Sequence, residues 1–160
     1  MGKLIPETSI VTFYRRSLTP ADSLIDDAGT NPDPALDLKV IDVAEADWVT
    51  LDDTGKAIAI GATPKGLAFP VWVGGRSDAG AAKSITVIAG PHSGKTSNFD
   101  TTGGAYTAGQ RLTAKNGKLY KAASGDPVVA MAEGAAAGAD ATYPNGYLSY
   151  NTYCIGHIVA

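Results

Sequence analysis

Residues Ala89 to Thr96, AGPHSGKT, fit the pattern A-x-x-x-x-G-K-T, a permissive form of the phosphate-binding loop, and a β-like run, Ser84 to Ile88, stands just before them. In such a loop the amides of a glycine-rich turn cradle phosphates, a lysine reaches toward them, and a helix begins at the Lys-Thr pair. The neighbouring residues argue against that chemistry. The segment that follows, TSNFDTTGGAYTAG, has no apolar stripe at helical spacing and carries Asn98 and Gly103-Gly104. Ala89 stands where the first glycine belongs, and Pro91 removes one amide from the cradle. No apolar strand ending in a metal-holding acid accompanies the motif; Asp42, in VIDV, precedes it in linker-like surroundings. Residues Gly90 to Gly94 therefore read as a turn between antiparallel strands, with Lys95 a solvated loop charge and His92 exposed.

The other reactive side chains are sparse. Two histidines and one cysteine, without C-x-x-C or H-x-x-x-H spacing, make no zinc set. Cys154 lies in an apolar run and reads as a buried small hydrophobe, and a strand would put His157 on the opposite face from it. The acid pairs Asp26-Asp27, Asp52-Asp53 and Asp33/Asp37 sit in turn-like contexts, where Asp side chains bond nearby amides. No calcium-loop pattern or G-x-S-x-G elbow is found. Gly74-Gly75 with Gly80 has no helix after it and reads as a surface loop. The chain is thus expected to be no enzyme and to need no cofactor or metal. One cluster suits binding: Phe13-Tyr14-Arg15-Arg16 combines the residue types that anchor protein interfaces. A nucleic-acid partner is disfavoured by a net charge of −3, since that footprint is normally basic.

The elements that would carry these residues are mostly strands. SIVTFYRR and LDLKVIDV alternate, DWVTLDDTGKAIAI reads as two strands around a turn at Asp53 to Lys56, and AFPVWV is apolar on both faces. RLTAKNGKLYKAA is the clearest hairpin, because Asn116-Gly117 suits the two positive-φ positions of a type I′ turn. PVVAMAE, GYLSY and YCIGHIVA follow as further strands. One helix is expected, over Pro20 to Asp27, with Thr19 as its N-cap and Pro20 at its first position. The alanine-rich stretch Ala132 to Ala141 is broken by Gly134 and Gly138 and reads as a loop. Many short strands with turn signals between them, and no strand-helix alternation, predict an all-β sandwich or barrel.

A length of 160 residues suits one domain with a self-sufficient core, and 44% apolar content argues against wholesale disorder. There is no apolar run long enough to cross a membrane, no secretory signal pattern at the N-terminus, and Pro6 stands where a myristoylation pattern wants Ser or Thr. Residues 1–35 differ in character from the rest. DDAGTNPDPALD reads as a linker or ordered loop, and the segment before it as an arm. Extended, 35 residues span roughly 115 Å, far beyond the ~15 Å radius of gyration of a compact body. The other reading of 1–35 is an edge strand folded back on the body, residues 36–160.

Residues Thr107 to Glu133, TAGQRLTAKNGKLYKAASGDPVVAMAE, resemble small bacteriophage head proteins that decorate or cement the capsid. The resemblance is carried by Ala108-Gly109, Leu112-Thr113, Gly117-Lys118-Leu119, Ala122, Gly125-Asp126 and Val128-Val129. GLAFPVWVGG and SITVIAGPHSGKTSNFD upstream are similar to the adjacent strands of such proteins, so the likeness covers about Trp48 to Ala160. Ala130 stands where that family tends to have glycine, and the alanine-rich segment after it has no counterpart. The resemblance implies a β-barrel or β-tulip body made in the host cytoplasm and bound on the outside of the virion. Its implied partners are the major capsid protein and copies of itself, as a homotrimer, and its implied role is to stabilise the mature head. Two alternatives stand beside it: another phage structural part, of the tail or of head completion, and a ligand-binding β-module. For the latter, Trp48, Trp72 and Tyr150/Tyr153 would line a carbohydrate site.

Overall fold

A computed structural model describes residues 2–7, 15–26, 40–41, 43–76 and 84–153. Over these residues the chain is all-β, built mainly from two antiparallel sheets. The first has the order β1 (Leu4–Glu7), β9 (Ser93–Thr96), β13 (Leu148–Asn151), β12 (Ala130–Ala132), β10 (Arg111–Lys115) and β11 (Lys118–Lys121). The second has the order β2 (Arg15–Leu18), β8 (Ser84–Ile88), β7 (Phe69–Arg76), β5 (Trp48–Leu51) and β6 (Ala57–Ala59). A short pair, β3 (Ile25–Asp26) and β4 (Val40–Ile41), stands apart from both. Neither sheet closes, so of the sandwich or barrel expected the small body is sandwich-like. Pro6 in edge strand β1 lacks the amide that further pairing would use.

Two cores flank the five-stranded sheet. Between the sheets, Trp48 and Ile88 pack with Leu4, Leu112, Leu119, Leu148 and Tyr150. On the far face Leu18, Val49, Phe69, Val71, Ile85 and Val87 pack with Leu24 and Val43. Trp48 and Val49, like Val87 and Ile88, thus point to opposite cores. This is why AFPVWV lacks a polar face, while SITVI keeps only the half-buried Ser84 and Thr86 beside Ile88 on one face; each fully buried aliphatic side chain adds about 1.5–3 kcal/mol.

Both predicted turns form. Asn116 (φ 48°) and Gly117 (φ 71°) close the β10–β11 hairpin, with Lys115 opposite Lys118. Between β5 and β6, Asp52 Oδ1 accepts hydrogen bonds from the Thr54 amide at 2.9 Å, the Lys56 amide at 2.9 Å and the Thr54 hydroxyl at 2.7 Å. Beyond Ala132, the last residue of β12, the alanine-rich stretch is a loop apart from one bridge between Ala137 and Tyr147.

The expected helix over Pro20 to Asp27 does not form. Residues Asp22–Leu24 make one 3-10 turn, and Ile25–Asp26 pair with Val40–Ile41. The amide of Ala21 donates to the Ala57 carbonyl and the amide of Ala57 to the Thr19 carbonyl, so pairing with β6 competes with a helical start. Leu24, 4% exposed, is drawn under the sheet. Gly74-Gly75, expected in a loop, lie inside β7, whose register with β8 shifts on either side of Val73. Such irregularity is where glycine sits in strands.

The described part of residues 1–35 follows the folded-back reading. Leu4–Glu7 pair with β9, and Arg15–Leu18 pair with β8. Phe13, Tyr14, the proposed boundary at 35/36, Gly80, Cys154 and His157 lie outside the described residues.

Candidate functional site

The phosphate-loop letters are built into the sandwich. β8 arrives as predicted, but the expected turn between paired antiparallel strands is instead a crossing: the chain bends at Gly90-Pro91, leaves the five-stranded sheet and resumes at Ser93 as a strand of the six-stranded sheet, not as a helix. β9 runs between β1 and β13, so its backbone groups are engaged on both sides by neighbouring strands. Each letter has a structural occupation. Gly94 faces Tyr150, and a Cβ there would come within 3.2 Å of the Tyr150 hydroxyl and 3.1 Å of the Ile5 carbonyl oxygen. Lys95, expected as a loop charge, is in the strand and pairs with Glu7 at 2.8 Å. Thr96 is buried, and its hydroxyl accepts the Asn98 amide at 3.0 Å.

His92, expected to be exposed, is 1% exposed. It follows a turn yet keeps the inward parity of Gly94 and Thr96, and this carries its ring into the core. Nδ1 lies 2.9 Å from the Gly90 carbonyl oxygen and Nε2 lies 2.9 Å from the Tyr150 hydroxyl. A carbonyl can only accept, so Nδ1 carries the proton and Nε2 accepts from the tyrosine. The backbone reinforces the link: the His92 amide donates to Thr152 Oγ1 at 2.9 Å and the Thr152 amide to the His92 carbonyl at 2.9 Å. Burial pushes the histidine pKa down, with the Gly90 bond opposing, and burial pushes the Tyr150 phenol up. The Tyr150 ring meets His92 at 90° and Trp48 at 63°, both edge-on. Both imidazole nitrogens are occupied, so in this arrangement the ring holds its neighbours and offers no free nitrogen to a substrate.

Beside this cluster opens a cavity of about 390 Å³, with Trp48, Phe69, Ile88 and Val129 among its walls and residues 89–92 and 152–153 along one side. Leu67 (54% exposed) and Tyr153 (41% exposed) are the exposed large apolar side chains among the described residues, and both line it. The four aromatics considered for a sugar site do not form one platform. Trp48 and Tyr150 are buried, and the Arg15 guanidinium covers Trp72 at 4.0 Å from the ring centroid; Tyr153 alone is exposed.

Arg15 and Arg16 are exposed on β2, at one end of the five-stranded sheet. Their registers, opposite Ile88 and Val87, send them to opposite faces. A charged edge also guards a sheet against unwanted pairing. Among the described residues no group of three His, Cys, Asp or Glu is placed to hold a metal, and no helix is long and apolar enough to cross a membrane.

One joint had no sequence signal. The Asn98 side-chain amide lies 3.1 Å from the Ala46 carbonyl, 3.1 Å from Asp47 Oδ1 and 3.0 Å from the Gly117 carbonyl. It joins the exit of β9, the entry to β5 and the β10–β11 turn. Burial raises the Asp47 carboxyl pKa there, against hydrogen bonds from Ala44 and Asn98. Nothing about a single Asn after a strand announces three acceptors from two distant segments. Compared with models of protein families, with curated proteins and with solved structures, the chain has no match.

Proposed function

We propose that the chain is a virion structural protein that binds the outer face of a phage major capsid lattice and stabilises the mature head. One observation carries the reading. The stretch that bears the resemblance, residues 107–133, folds as a continuous antiparallel unit, and its matched positions do structural work. Gly109, Gly117 and Gly125 have φ of 80°, 71° and 89°. Leu112, Thr113, Leu119 and Val129 are buried, and Asp126 accepts the Ala123 amide at 3.0 Å. Several of the matched residues are thus ones that the fold of 107–133 depends on, which supports the reading. The exposed Arg15 and Arg16 supply a charged edge for the capsid contact. A protein that binds only the expanded shell stabilises it by mass action, about 2.7 kcal/mol per site at a hundredfold excess over Kd.

The test is sedimentation of the pure protein with expanded heads, precursor heads and isolated tails. Saturable co-sedimentation with expanded heads alone is expected, and Arg15→Glu with Arg16→Glu should weaken it at least tenfold while the circular dichroism stays unchanged. Binding to tails instead, or to no particle, overturns the reading. Deleting residues 1–35 is not the right probe of the segment, because it would remove β1 and β2 from the two sheets.

A further inference from the structure

His92 is set where a proton would do the most mechanical work. We infer that it is an acid-sensitive latch: neutral, it pins the Gly90–Pro91 turn to the end of β13, and protonated, it releases that turn and opens the adjoining cavity wall. The inference is independent of what the chain binds.

The Gly90 carbonyl fixes a proton on Nδ1, and the neutral ring then accepts from Tyr150 at Nε2. With Nδ1–H on the Gly90 carbonyl and Nε2 accepting from Tyr150, a second ring proton would point at the tyrosine hydroxyl hydrogen. The hydroxyl would have to turn that hydrogen away inside a buried site, since Tyr150 is 0% exposed. Among the described residues no carboxylate is placed to offset the buried cation. Tyr150 is the titratable side chain on β13 that faces it, and Tyr153 lines the cavity beside it. Lys95 on β9 and Glu7 on β1 point to the opposite face of the sheet and pair with each other. No charged group figures among the causes that shift the histidine. Burying an unpaired charge is the costliest substitution a core can face.

Release would spread along a defined path. The His92 amide and carbonyl both bond to Thr152, so losing the ring also loosens Thr152, just beyond β13. Pro91, Thr152 and Tyr153 all line the cavity. The sign follows from the direction of the shift. A histidine whose folded pKa is depressed stabilises the fold above its ordinary value, near 6.5, and that contribution is lost as pH falls through the window below it.

The test is a pH titration of the full chain, followed by NMR of the histidine ring nitrogens and by amide hydrogen exchange. The other histidine, His157, is assigned with the His157→Ala variant. Expected is an Nδ1–H tautomer for His92 at neutral pH, protonation displaced below the ordinary histidine range, and loss of protection at the His92 and Thr152 amides in the same window. Binding of an apolar dye should rise with it. In urea denaturation the unaltered chain and His157→Ala should lose up to tenfold in folding constant per pH unit there, relative to His92→Phe. An Nε2–H tautomer, or an ordinary titration with both amides still protected, overturns the latch. Because the ring is observed in the unaltered protein, failure of His92→Phe to fold leaves the test intact.

Discussion

Gly94-Lys95 lies inside β9, and Gly117-Lys118 leads from the β10–β11 turn into β11. At Gly117 the backbone has φ 71°, and a Cβ would find no atom nearer than the Asp47 carboxylate at 3.8 Å. The space is free and the conformation is the constraint. At Gly94 the backbone is that of a strand, but a Cβ would meet the Ile5 carbonyl at 3.1 Å and the Tyr150 hydroxyl at 3.2 Å. There the conformation is free and the space is taken. The same dipeptide therefore answers two demands. One is local and shows in its neighbours; the other comes from a tyrosine more than fifty residues away that crosses β9 to reach His92.

The largest effect should come from removing that tyrosine. Tyr150→Ala leaves a void among Trp48, His92 and Gly94 and orphans Nε2, and should cost about 3–5 kcal/mol in urea denaturation. A loss below 1 kcal/mol would mean that the ring does not organise the region. Next come the two glycines. Gly94→Ala should cost about 1–3 kcal/mol by overpacking, and Gly117→Ala about 1–2 kcal/mol by backbone strain. Two rescues separate the causes. Adding Tyr150→Phe should recover at least ~0.5 kcal/mol at position 94, because the crowded oxygen is gone, and nothing at 117. Replacing glycine by asparagine, which tolerates positive φ, should be mild at 117 and worse than alanine at 94. If both sites respond alike to both rescues, the distinction fails.

What the sequence made legible follows the same division. The hairpin at Asn116-Gly117, the Asp52 turn and most of the strands are set by residues adjacent in the chain, where alternation and turn chemistry can be read. The helix expected at Pro20 to Asp27 had sound local signals, but backbone pairing of Thr19 and Ala21 with Ala57 took its place. Burial of His92 depends on a bond that spans 58 residues, and the Asn98 joint on contacts 52 and 19 residues distant. The candidate site was only partly legible: residues 90–94 were read as a turn, yet only Gly90-Pro91 bend and Ser93-Gly94 already belong to β9, because glycine, proline and serine say turn and hence exposure whatever strands pair with them. Arg15 and Arg16 were rightly placed on a strand, yet which faces they serve needed the register with β8.

The smallest expected effect belongs to Lys95, and it separates the two meanings of the Gly-Lys pair most directly. Its ion pair with Glu7 joins edge strand β1 to β9, but the two side chains are 41% and 45% exposed, so solvent screens the attraction. β1 is held besides by its ladder to β9 and by buried Leu4, and Lys3–Glu45 at 3.1 Å lies just outside it. Lys95→Ala should therefore cost no more than about 0.2–1 kcal/mol, with the loss shrinking further in high salt. A phosphate-binding lysine would behave otherwise. Its removal would leave the free protein nearly unchanged and abolish a nucleotide-dependent rise in Tm. Added nucleotide should leave the Tm of the unaltered chain where it is, because the amides a phosphate would need are part of a ladder on both sides of β9. A rise that vanishes in Lys95→Ala would show that the strand can open to bind, and that its lysine is more than the outer half of an ion pair.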